Sequence, residues 1–79
     1  MSQVIYIGLK LIKIPSENRF QLISSDNAGL SWQIIFEGSK ETGEFFELGN
    51  KARIVFAKTS EGRFRSVTEG RTWTKVSEF

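Results

Sequence analysis

The 79-residue chain contains no cysteine and no histidine. Without cysteine no disulfide staples the fold and no thiol serves as nucleophile; without histidine the commonest general base and the commonest metal ligand are both missing. These absences exclude Ser/His/Asp triads, thiol nucleophiles and ordinary zinc sites. Asp26 is the single aspartate, and the glutamates are scattered among lysines and apolar residues as on solvated strand faces. A paired-carboxylate glycosidase site therefore finds no support. The sequence reads as non-enzymatic, and no catalytic residue, metal ligand or cofactor is assigned.

Long apolar runs are absent as well. The most apolar stretch, Val4 to Ile14, is broken by Lys10 and Lys13, with no basic residue before it and no small-residue cleavage site after it. It is also shorter than the ~20 residues that span a bilayer as a helix. The expectation is a strand of a mature cytoplasmic protein without a membrane partner.

What is present is a set of short runs rich in Ile, Val, Phe and Trp, separated by Gly, Asn, Ser and Glu clusters, which is the spacing of strands and turns. The class is all-β, a single domain over residues 1–79 with about seven antiparallel strands. A domain this small removes only about 60% of its unfolded surface from water, so its core is economical. Val4 to Ile14 is one bent strand or two, kinked at Gly8, and Pro15 to Asn18 is a turn. Phe20 to Ser25 pairs with Trp32 to Phe36, whose alternation puts Trp32, Ile34 and Phe36 on one face. Phe45 to Leu48 and Ala52 to Ala57 flank a Gly49-Asn50 turn. Thr59 to Gly62 turns into a strand at Arg63 to Ser66, and Thr72 to Val76 follows.

Self-similarity is the most specific signal. Ser25 to Trp32 (SDNAGLSW) aligns without gaps on Ser66 to Trp73 (SVTEGRTW), an offset of 41 residues. Ser25 and Ser66, with Asn27 and Thr68, have short side chains that hydrogen-bond turn backbone. Gly29 and Gly70 accept positive φ. Ser31 and Thr72 suit a returning strand, and Trp32 and Trp73 each lay a large ring over their hairpin.

This pattern resembles the Asp-box of bacterial neuraminidase repeats and related β-propellers, in its usual form Ser-x-Asp-x-Gly-x-Thr-Trp. Both copies depart from it at the eponymous position, where Asn27 and Thr68 replace Asp. The resemblance implies a structural hairpin away from any active site, and a repeat of about 40 residues suits a propeller blade. It does not imply sialidase activity, since Tyr6 is the only tyrosine. Propellers close with about four to eight blades and the chain supplies at most two, so a closed roll or barrel is favoured over two blade-like units that assemble into a homo-oligomer.

Charge is uneven. Residues 51–75 carry seven cations and two glutamates, close to +5, against about −3 for the remainder. Arg63 and Arg65 share a strand face, and Trp73 and Lys75 share a face of the next strand; were the two to coincide, an aromatic ring would lie beside several cations. Arg63, Arg65, Arg71, Trp73 and Lys75 are the candidate binding residues, with an acidic protein or nucleic acid as partner. Solubilising charge on an exposed sheet accounts for the same residues more plainly. Carbohydrate stacked on Trp32 and Trp73 is a third reading.

Overall fold

In the computed structural model, which describes residues 3–76, the short apolar runs form eight strands. No helix occurs among the described residues, hence none long and apolar enough to cross a membrane. β1 (Val4–Ile7), β2 (Lys10–Lys13), β3 (Gln21–Ser25) and β4 (Gln33–Glu37) pair consecutively as one antiparallel sheet. β5 (Phe45–Lys51), β6 (Ile54–Thr59), β7 (Gly62–Ser66) and β8 (Thr74–Val76) pair in the same order as a second. The count is one above the expected seven because Val4 to Ile14 divides. Gly8, at φ 61°, reverses the chain between Ile7 and Lys10, which face each other across the hairpin.

Neither sheet closes on itself: β1 and β4 are the edges of the first, β5 and β8 of the second. The expected closed roll or barrel is thus replaced by two separate four-stranded meanders. The reason lies in the connection after β4. The Phe45 N–H donates to the Arg19 carbonyl at 2.8 Å, and the Ser60 N–H to the Glu44 carbonyl at 2.9 Å, so β5 starts beside the β2–β3 loop instead of along β4.

Two local expectations are also corrected. The second hairpin turns at Ala52-Arg53, with Ala52 at φ 55°, while Gly49 and Asn50 lie inside β5 opposite Phe56 and Val55. Gly49 has no need of positive φ there; its missing side chain leaves open space instead. In the first hairpin a register shift between Leu22 and Ile23 sets Phe36 against Leu22 and Ile34 against Ile23. Leu22 and Ile23 project to opposite faces, so the bulge separates Phe36 from Ile34.

The sheets stack face to face. Ile5, Ile7, Ile12 and Leu22 from the first meet Phe45, Leu48, Val55 and Ala57 from the second, all buried. Each of these side chains except that of Ala57 contributes about 1.5–3 kcal/mol of burial. Phe36, Phe45 and Trp73 close one side of this joint, the Phe36 and Phe45 rings meeting edge-on at 5.9 Å and the Phe45 and Trp73 centroids 5.6 Å apart. On the other side β1 adjoins β5, where Asn50 Nδ2 donates to the Tyr6 carbonyl at 3.2 Å.

The repeat extends beyond the hairpins to the whole of each sheet. β3 and β7 start 41 residues apart at Gln21 and Gly62, as do β4 and β8 at Gln33 and Thr74. β2 and β6 are offset by 44, because Leu11 and Val55 are the residues opposite Ser25 and Ser66. The β1–β2 and β5–β6 turns are both two residues long, and the longer β2–β3 loop brings the offset from 44 to 41, so the sheets correspond strand for strand.

Candidate functional site

Both copies of the motif build the same turn. Ser25 Oγ accepts the N–H groups of Asn27 and Gly29 at 3.3 and 2.9 Å, and donates to Asn27 Oδ1 at 2.7 Å. Asn27 Oδ1 also accepts the Ser31 N–H at 3.0 Å, and its amide nitrogen reaches Ser31 Oγ at 2.8 Å. In the second copy Ser66 Oγ takes the N–H groups of Thr68 and Gly70 at 3.2 and 2.8 Å, and Thr68 Oγ1 takes that of Thr72 at 2.9 Å. Neutral Asn and Thr side chains thereby occupy the capping position without a fixed carboxylate. The left-handed pair at each tip includes the residue before glycine: Ala28 and Gly29 at φ 63° and 89°, Glu69 and Gly70 at φ 60° and 93°. Sequence patterns identified the glycines but not Ala28 or Glu69, whose only signal was their place before them.

The copies differ in what lies over them. The second hairpin sits on the joint: Gly70 is buried against Ile12 and Ile35, and Trp73 packs on Phe36 and Phe45 while its Nε1 donates to the Gly70 carbonyl at 2.9 Å. Glu69 reaches across to the first sheet, accepting from Lys10 Nζ at 3.0 Å, and accepts from Arg53 Nη1 of its own sheet at 3.3 Å. The hydrogen bond from Lys10, then its charge, hold the Glu69 carboxyl below its ordinary 4.5, with Arg53 and Arg71 assisting and burial opposing. Among the described residues no sheet lies above the first hairpin. Trp32 is 36% exposed, with Lys13 Nζ 5.3 Å from its ring centroid.

The candidate basic residues do not converge on one surface. Lys75 stands opposite Phe64 in the β7–β8 register, so it shares the face of Phe64 and points away from the side of Arg63 and Arg65. Trp73 belongs to the joint, and Arg71 is exposed at the tip of the second hairpin. The face with an aromatic beside several cations is instead formed by Lys58 opposite Arg63, Arg65 opposite half-buried Phe56, and Glu47 opposite Lys58. A shallow depression opens over Gly49 between Glu47, Phe56 and Arg63.

A feature that charge patterns missed is the outward face of the first sheet. Val4, Tyr6, Trp32 and Ile34 are exposed there, Tyr6 by 68% and Ile34 by 53%, around an open groove lined also by Leu11 and Lys13. Its sequence signal was the VIYI run of β1, apolar on both alternating faces. By strand equivalence this surface matches the face of the second sheet that is buried in the joint: Leu11 matches Val55, Ser25 matches Ser66 and Trp32 matches Trp73.

The architecture defined by these observations is a pair of equivalent four-stranded antiparallel meanders stacked face to face, each carrying one self-capped hairpin. No protein-family model, curated protein or solved structure matches the chain.

Proposed function

We propose that the chain is a non-enzymatic protein-interaction module made of two propeller-type blades with Asp-box-like hairpins, and that it binds through the outward apolar face of its first blade. One observation carries this reading: the surface that buries the second blade against the first is repeated, as Val4, Tyr6, Ile23, Trp32 and Ile34, on a face that no other sheet covers among the described residues. Contiguous exposed apolar surface of this kind marks interaction sites in soluble proteins. The Tyr and Trp within it are the residue types that dominate binding energy at interfaces.

The test uses an apolar fluorescent dye, anilinonaphthalene sulfonate, at sub-micromolar protein. Wild type is expected to enhance dye fluorescence and Ile34→Glu to lose that enhancement, with Arg63→Glu unchanged. Equal fluorescence in wild type and Ile34→Glu removes the reading.

A second reading places an acidic partner on the opposite end, where Lys58, Arg63 and Arg65 are exposed on one face of the second blade. Reversing Arg63 and Arg65 together should then abolish retention on a heparin column at low salt while leaving the circular dichroism spectrum intact. Equal retention of variant and wild type counts against it.

A further inference from the structure

We propose that the occupant of the outward face of the first blade is a second copy of this chain, docked head to tail on the outward face of its neighbour's second blade, so that copies close into a ring. The proposal rests on the interaction surface argued above and names its partner. Its warrant is that the joint inside the chain shows how two such faces fit, and that the uncovered faces keep its small and apolar residues at the hairpin tip and at Phe56, while the rest of the second blade's face is basic.

In the joint, Gly70 rests on Ile12 and Ile35. The residue equivalent to Gly70 is Gly29, at the rim of the outward groove, the equivalent of Ile12 is Phe56, and Val76, opposite Arg63 as Phe36 is opposite Leu22, stands in the place of Phe36 next to the bulged Ile35; Phe56 and Val76 are apolar and half-buried. Glu69 meets Lys10 across the joint, and the corresponding pair, Ala28 and Ile54, is apolar, so an ion pair is exchanged for a hydrophobic contact without leaving a lone charge. Asn50 bonds the Tyr6 carbonyl in the joint. In the new contact Tyr6 takes the place of Asn50, and it arrives beside Gly49, which stands where the first blade has Ile5 and leaves space for a larger side chain.

Four positions differ in kind, all of them cationic on the second blade: Lys51 and Lys58 stand where the first blade has Ile7 and Ile14, and Arg63 and Arg65 where it has Leu22 and Ser24. The incoming face brings the rings of Tyr6 and Trp32, which suit cations and the alkyl stems that carry them. Guanidinium groups stacked on aromatic faces keep solvent-exposed edges, so this joint is more hydrated than the internal one and forms reversibly. A contact between two different patches closes into a ring when its rotation allows. Propellers of about four to eight blades correspond to two, three or four copies.

Sedimentation or light scattering on wild type, Ile34→Glu and Phe56→Glu, at high micromolar concentration, decides the proposal. Wild type is expected at the mass of two to four copies, and each variant as a monomer with an unchanged circular dichroism spectrum. An equimolar mixture of the variants is expected to form a 1:1 dimer, because one chain keeps the first face and the other keeps the second. A monomeric wild type overturns the ring; if it also retains heparin through Arg63 and Arg65, the outer face of the second blade belongs to an acidic partner. Multimers that survive Phe56→Glu overturn it too, since the first face then pairs with itself, as does a mixture that stays monomeric. Dye binding lost in Ile34→Glu with a monomeric wild type would leave the interaction surface standing and remove only the second copy as its occupant.

Discussion

At the scale of single residues, two side chains with the same place in the motif have different energetic roles. Trp73 fills space between Phe36 and Phe45 and satisfies its indole N–H on the Gly70 carbonyl, whereas Trp32 lies open under Lys13. In dilute solution Trp73→Ala should cost about 3–5 kcal/mol and Trp32→Ala about 1–2 kcal/mol, read from urea denaturation midpoints. Equal losses would mean that the rings share one environment. The glycines separate in the same way. Both have positive φ, but a methyl on Gly29 would meet only the Trp32 ring at 3.6 Å, while one on Gly70 would come within 3.1 Å of Ile35. Gly70→Ala is therefore expected to lower the melting temperature more than Gly29→Ala, and a larger loss at Gly29 would contradict the burial difference. Both tryptophans and both glycines were legible in the sequence as one repeated pattern. Their difference was not, because it comes from the neighbour packed above each hairpin.

Elements are held together by the joint and by the turn that leads into it. Lys10 in β2 and Glu69 at the tip of the second hairpin link the two sheets. Because the Glu69 pKa is depressed in the folded chain, its stabilising contribution is present above the ordinary 4.5 and is lost as pH falls through the lower folded value. Glu69→Gln should lower the melting temperature at neutral pH, and its deficit against wild type should vanish in strongly acid solution. A deficit constant across that range would remove the ion pair as its cause. Entry into β5 depends on Gly43, at φ 82°, where a Cβ would run into the side chains of Ser60 and Glu61. Ser60 Oγ accepts the Glu44 N–H at 2.9 Å in that place. Gly43→Ala should cost about 1–3 kcal/mol in chemical denaturation, combining a strained φ with the lost hydrogen bond. Turn residues announced most of these reversals in the sequence. The exceptions were Ala52-Arg53, which lacks a turn signature, and Gly49-Asn50, which has one and lies within a strand.

For the whole molecule the governing fact is the unequal treatment of equivalent faces. The second sheet buries its Val55 face on the first, and the first leaves the matching Tyr6 and Trp32 face open. Head-to-tail closure would cover it, and thermal stability should then rise with protein concentration in wild type but not in Phe56→Glu, as binding linked to folding requires. A melting temperature independent of concentration in both proteins would count against closure. The amino-acid sequence by itself determined the all-β class, the hairpins and the 41-residue repeat, because alternation, turn residues and short hydroxyl side chains act over a few neighbouring positions. Tertiary structure alone decided that the strands divide into two open sheets, that the β3–β4 bulge separates Phe36 from Ile34, and that Lys75 turns away from Arg63 and Arg65. Strand alternation defines two faces without saying which of them meets another sheet, and a one-residue shift in register exchanges them.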